Sequence, residues 1–286
     1  TIHVFYLKYH LYLYSLIHYV FPSIFYYRIK ICNFSQKKIY NEKEKNAILE
    51  KNMKTITLTV HNRPDNLIKV LDNLKKNKLY DFSLYIGLEP GNDECVKVCE
   101  NINFIKTTIV RNIKVLGVRH NPYNILDCVF NLGSEINIYL EDDLEISPDI
   151  CDLSIWYYKQ LNCNKIFNMD ILCLNLFSWN NGDDPRCIML KNNGFCPWGM
   201  CITKYQWDNY FKPIWFNDNH SLNGKGWDFS VQSLLNPKLF IAYPYISRSN
   251  HVGIEGVHST RDIYESSFKD RKINTSMDIS DYYIDI

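Results

Sequence analysis

Three acids, Glu141, Asp142 and Asp143, stand in a row directly behind the apolar run at residues 136–140. Carboxylates this close repel one another by several kcal/mol at an effective dielectric of about 20, so the triplet needs either water or a cation. No His or Cys adjoins it, and a set of hard oxygen donors suits Mg²⁺ or Mn²⁺. These ions keep part of their water and bind one or two carboxylates together with phosphate oxygens. The triplet thus points to a divalent cation that arrives with a diphosphate, against the plainer reading of a solvated turn. Arg63 and Glu89 each follow a strand-like run and are candidates for the same edge.

Further along, Asp228 follows Trp227, itself a candidate to face an acceptor, in "NGKGWDFSVQSLL". An Asp at such a loop-to-helix boundary serves as an N-cap, or, beside a low-dielectric neighbour, as a general base. The segment "SRSNHVGIEGVHS" carries Arg248, His251 and His258 around Gly253 and Gly256, the pattern of a loop that orders over an anionic ligand or of an ordinary surface turn. "GFCPWGM" reads as a tight turn presenting Trp198, either as a stacking surface for a sugar ring or as core.

The elements that must position these residues are legible from Thr55 onward. "TITLTVH", "SLYIGLE", "TTIVRN" and "INIYL" read as strands. Between them lie a helix starting at Pro64, with Leu67, Leu71 and Leu74 on one face, a second from residue 93 to about 101, and a third around 122–132. After the acids, Ser147 and Pro148 are expected to cap and open a further helix through "DICDLSIWYYKQL". Strand and helix alternating at this spacing imply an α/β fold with a mostly parallel sheet covered on both faces. Ligands of such sheets bind beyond the carboxyl ends of the strands, where Arg63, Glu89 and the acidic triplet fall. No G-x-G-x-x-G follows a strand, and "NGKGWD" lacks the spacing and the Ser or Thr of a P-loop.

At 286 residues and 46% hydrophobic content the chain can bury a large core. Its net charge of +1 provides no general field for nucleic acid, which is excluded as a partner. The ten cysteines are scattered, and Cys95 and Cys99 have no matching pair, so buried thiols are expected rather than zinc. Sequons begin at Asn33, Asn219 and Asn274, a number that chance produces in a chain rich in Asn. Residues 1–50 are set apart from a domain at 51–286: the uncharged, aromatic segment 9–27 either spans a membrane or packs as a helix, and a polar linker follows. The chain opens without Met, so a longer natural N-terminus is expected.

Taken in order, the Arg after the first strand, "LEDDLEISPD", "FCPWGM", "GWD" and "YPYISRSNHVG" resemble the inverting GT-A glycosyltransferases of the N-acetylglucosaminyltransferase I type, including the protein O-mannose enzymes, over about residues 55–260. The resemblance implies a GT-A fold that moves a sugar, GlcNAc in the family, from a nucleotide-diphosphate donor such as UDP to a glycan or glycoprotein hydroxyl. It also implies that Asp143 holds Mn²⁺, that Glu141 and Asp142 contact ribose or sugar, that Glu89 meets the base and Arg63 the phosphates, and that Asp228 is the catalytic base. His61 and Asn62 stand where the family has Cys-Asp, and Asn124 where its donor-site helix offers a His. These departures motivate an alternative, a transferase fold that binds a glycan or nucleotide sugar without chemistry. The family resemblance implies a Golgi or ER membrane location, whereas Arg28, Lys30, Lys37 and Lys38 behind the aromatic segment favour the cytoplasmic side.

Overall fold

The computed structural model describes residues 53–163, 170–180, 182–216, 226–234, 238–254 and 260–285. The aromatic segment 9–27, the linker behind it and His258 lie outside these residues. Among the described residues no helix is long and apolar enough to cross a membrane.

A nine-stranded mixed sheet, mostly parallel, organises the chain. Its first half is β1 (Met53–Val60), β2 (Phe82–Leu88), β3 (Thr107–Arg111) and β4 (Ser134–Glu141), arranged in parallel in the order β3-β2-β1-β4. The connections are helices α1 (Pro64–Leu74), α2 (Asp93–Glu100) and α3 (Gly117–Asn131). Pro64 opens α1 and Asn92 caps α2 by accepting from the Cys95 N–H, 2.9 Å away. The second half departs from the expected parallel pattern: β8 (Met200–Thr203) is antiparallel to both β4 and β6 (Ile171–Asn175), and β7 (Cys187–Lys191) is antiparallel to β9 (Phe240–Pro244). A short β11 (Tyr283–Asp285) closes the far edge beside β7.

Alternation along the strands sends successive side chains to opposite faces. Ile138 and Leu140 of β4 join Leu67, Val70 and Leu74 of α1 and residues of α4 (Ile150–Asn162) in one core. Tyr139 between them points to the other face, with Leu126, Val129 and Phe130 of α3, Met200, Ile202 and Trp215. Each fully buried aliphatic side chain contributes about 1.5–3 kcal/mol, so both helical layers are held by the same strands.

Immediately after the acids, β5 (Leu144–Ile146) pairs antiparallel with β10 (Ser249–His251) in a separate two-stranded ribbon. This pairing moves the start of α4. Ser147 does not cap it; Ser147 Oγ donates to Asp149 Oδ1 at 2.6 Å, and the helix begins at Ile150. Asp149 is instead a buried hub. It accepts from Arg248 Nε at 2.9 Å, Asn274 Nδ2 at 3.0 Å and Tyr282 Oη at 3.0 Å, fastening the C-terminal segment to the base of the ribbon.

Candidate functional site

The carboxyl ends of the parallel strands are level, with Val60 opposite Leu88 and Thr59 opposite Glu141. Residues just beyond them therefore reach one place, a cavity of about 1030 Å³. Arg63, Glu89, Glu141, Asp142, Asp143, Trp198, Trp227, Asp228 and His251 all line it.

Asp143 is a buried part of its wall. One of its oxygens, Oδ2, pairs with the Arg63 guanidinium and stands 3.2 Å from His251 Nε2. Its other oxygen, Oδ1, is buried and has no hydrogen-bond partner among the described residues. Burial alone would raise the Asp143 pKa, but His251 and Arg63 together outweigh it and hold the carboxyl below its usual value. The β5–β10 ribbon produces this contact: His251 is opposite Leu144, and Val252 N–H donates to the Asp143 carbonyl at 2.8 Å. Gly253 completes it, since a Cβ there would sit 2.9 Å from Asp143 Oδ2 and 3.0 Å from the His251 ring. His251 is thus a buried partner of the acid, not a lid residue.

The neighbouring acids are raised instead. Burial, then the Asp143 charge, lifts Asp142 to about 6, although the His61 N–H at 2.8 Å and Arg63 oppose the shift. Burial and the Asp143 charge lift Glu141 to about 8, with Asp142 and Asp228 adding repulsion and a 2.7 Å hydrogen bond from Tyr139 Oη opposing it. Asp228 is therefore within electrostatic reach of the triplet. It is the second residue of α5 (Trp227–Leu234), and its carboxylate folds back over Gly226, where a Cβ would collide with Oδ1. It does not occupy the N-cap position.

Glu89 lines the cavity, but its carboxylate is engaged by the protein's own backbone. It accepts from Leu116 N–H at 3.0 Å and Gly117 N–H at 2.8 Å, at the positive end of α3. Asn112 joins Glu89 to Asn121, whose Nδ2 donates to the Gly87 carbonyl at 2.9 Å. Asn121, rather than Asn124, faces the cavity. Asn124 is exposed one turn further along α3 and falls outside the lining.

Two further expectations are corrected. Arg248 is fully buried, donates to Asp149 and to the carbonyls of Ile246 and Pro185, and does not reach the cavity as a lid. Trp227 touches the cavity, but its ring is stacked on Trp215 at 4.4 Å between centroids and 7° between planes, and meets Tyr139 edge-on. It is core, an anchor for α5 rather than a surface for an acceptor. Trp198 is half-buried and lines the cavity as expected. Trp179 and Phe268, which sequence reading missed, complete that wall. An isolated Trp in the loop after β6 carries no spacing signal that would single it out.

The donor set fits a lightly held divalent ion: Asp143 Oδ1 is a buried carboxylate oxygen without a partner among the described residues, on the wall of a cavity large enough for a nucleotide. Among the described residues there is no group of three or more His, Cys, Asp and Glu placed to hold a metal by themselves. Ligands beyond Asp143 would have to come from water and from phosphate oxygens.

No family model and no curated protein sequence matches the chain. Solved structures similar to it include TarS 1–349 of S. aureus, with 10% identity over 67% of this chain and 60% of that one, at a TM-score of 0.46. The glycosyltransferase GlyE of Streptococcus pneumoniae TIGR4 is similar at 11% identity over 65% and 44% of the two chains, with a TM-score of 0.41. The mannosyltransferase PcManGT of Pyrobaculum calidifontis, solved in complex with GDP-Man and Mn²⁺, is similar at 9% identity over 68% and 57%, with a TM-score of 0.42. The chain thus spans less than two thirds of the length of each of these three proteins.

Proposed function

We propose that the chain is a metal-dependent, inverting glycosyltransferase of the GT-A kind, moving a sugar from a nucleotide-diphosphate donor to a glycan or glycoprotein hydroxyl. The observation that carries the reading is the meeting of Arg63, Asp143 and Asp228 around one cavity at the carboxyl ends of β1 and β4. Asp143 is assigned to the divalent ion. When bound, Mn²⁺ or Mg²⁺ supplies positive charge against the diphosphate oxygens. Arg63, about a third exposed at its side chain, adds a charged donor for the same oxygens. Asp142, oriented by the His61 N–H, and Glu141, oriented by Tyr139, are placed to contact ribose or sugar hydroxyls. Glu89 is assigned a positioning role, holding the 112–117 loop and the start of α3 against the nucleotide side.

In the transfer step Asp228 takes the proton of the acceptor hydroxyl. The acceptor oxygen forms its bond to the anomeric carbon as the bond from that carbon to the phosphate oxygen breaks. The electron pair leaves with the diphosphate, whose growing charge Arg63 meets. A single displacement from the opposite face inverts the anomeric centre.

The test is release of nucleotide diphosphate from a panel of UDP- and GDP-sugars, with Mn²⁺ and with chelator. Turnover that requires the ion and disappears in Asp143→Ala supports the assignment, whereas turnover indifferent to both overturns it. A second reading, a donor-binding module without chemistry, is favoured by the pairing of Arg63 with Asp143, which neutralises both groups. It predicts donor binding with no product after long incubation.

A further inference from the structure

The wall of the cavity formed by the loop after β6 holds an aromatic group that the reaction steps above do not use. Trp179 lines the cavity and is 49% exposed, although it is among the largest side chains of the protein. It is not a loose surface residue. The Arg271 guanidinium carbon lies 4.8 Å from its ring centroid, covering one face. Phe177 meets it edge-on at 4.8 Å and Trp198 edge-on at 5.9 Å. Arg271 is itself fixed from behind, donating to the Ser178 carbonyl at 2.9 Å. These contacts hold the ring at the cavity wall with about half of it exposed, an arrangement that protein stability alone does not require, because that share of its burial is forgone.

A locked, half-exposed indole suits a ligand with one apolar face and polar edges. A pyranose ring is such a ligand: its axial C–H bonds line up on one face and are attracted to the negative face of an aromatic ring, while its hydroxyls point outward to polar partners. The cavity provides those partners in Asn192, Asn193 and Ser267 on the same lining. We propose that Trp179 is the platform of an acceptor subsite that takes the apolar face of a pyranose ring, which assigns the acceptor to carbohydrate rather than to bare peptide. The proposal rests on the transferase reading and deepens it.

The experiment compares the whole protein with Trp179→Ala and Trp179→Phe, using a panel of methyl pyranosides and a Ser/Thr-containing peptide as acceptors. The melting-temperature shift on adding UDP with Mn²⁺ reports the donor side separately. Expected is a rise of about ten-fold in the KM for the accepted glycoside in Trp179→Ala, partial recovery in Trp179→Phe, and an unchanged donor-induced shift. Equal glycoside KM in wild type and Trp179→Ala, or a peptide as the preferred acceptor, overturns the platform while leaving the transferase intact. If the wild type turns over no nucleotide sugar, the transferase reading itself fails. Saturation-transfer NMR with the same methyl pyranosides then decides the platform: signal lost in Trp179→Ala upholds it, and no signal in the wild type ends it.

Discussion

His251 Nε2 stands 3.2 Å from Asp143 Oδ2, joining the last residue of β10 to the residue just ahead of β5, its antiparallel neighbour in a ribbon just outside the main sheet. The contact leaves Oδ1 as the oxygen of Asp143 without a partner among the described residues. A buried carboxylate with one oxygen held by protein and one unbonded is oriented before any ligand arrives, which is how outer partners tune an inner ligand.

Replacing His251 by Gln should therefore weaken Mn²⁺ binding by about 10- to 100-fold, the usual effect of losing such a partner. Titration of Mn²⁺ followed by electron paramagnetic resonance measures this directly. Gly253→Ala should act in the same direction, because its Cβ would press on both groups.

Asp228→Asn keeps the shape of the side chain and removes its basicity. Turnover is expected to fall by about 10²- to 10⁴-fold while the KM for the donor stays within a few-fold. Steady-state kinetics with donor and acceptor varied independently provide the check. A collapse of donor affinity would make Asp228 a binding residue instead.

Arg248 and Asp149 are both fully buried and 2.9 Å apart. Truncation to Arg248→Ala leaves the carboxylate buried without its cation and should destabilise the fold by about 3–5 kcal/mol. Urea denaturation followed by fluorescence measures the loss.

The thiols differ sharply in reactivity. Burial raises Cys95 to about 11 and Cys99, Cys196 and Cys201 to about 12, so at pH 8 each is almost wholly in the unreactive thiol form. Among the described cysteines, Cys163 is exposed and should be alkylated first by iodoacetamide, with the buried thiols labelled only after denaturant is added. Raising the pH to 9 should leave those four protected. Peptide mass spectrometry reads the order.

Much of the first half of the fold was legible because its signals are local. Alternation along the strands, the Pro64 start and the Leu67–Leu71–Leu74 stripe all act within a few residues. The site followed from them, since parallel strands in register deliver their carboxyl ends to one edge. What could not be read depends on partners far along the chain. Arg248 in a polar segment looks like a surface group until Asp149, 99 residues away, is seen to neutralise it. Trp227 looks available until Trp215 covers its face. The mistaken Asn124 has the nearest remedy: one helical turn earlier, Asn121 lies on the side of α3 that faces the strand ends. The β5–β10 ribbon, with three residues on each side, is too short for periodicity to reveal.

The hub at Asp149 also bears on the Asn-Thr-Ser triplet beginning at Asn274. The amide nitrogen of Asn274 donates to Ser147 Oγ, Asp149 Oδ1 and the Ser276 carbonyl inside the buried junction. An oligosaccharide attached there would remove one of its hydrogens and wedge a bulky polar branch into the seam that closes the C-terminus. In the native state the Asn274 side chain is sealed, so carrying a glycan there and reaching this fold are mutually exclusive fates for one molecule.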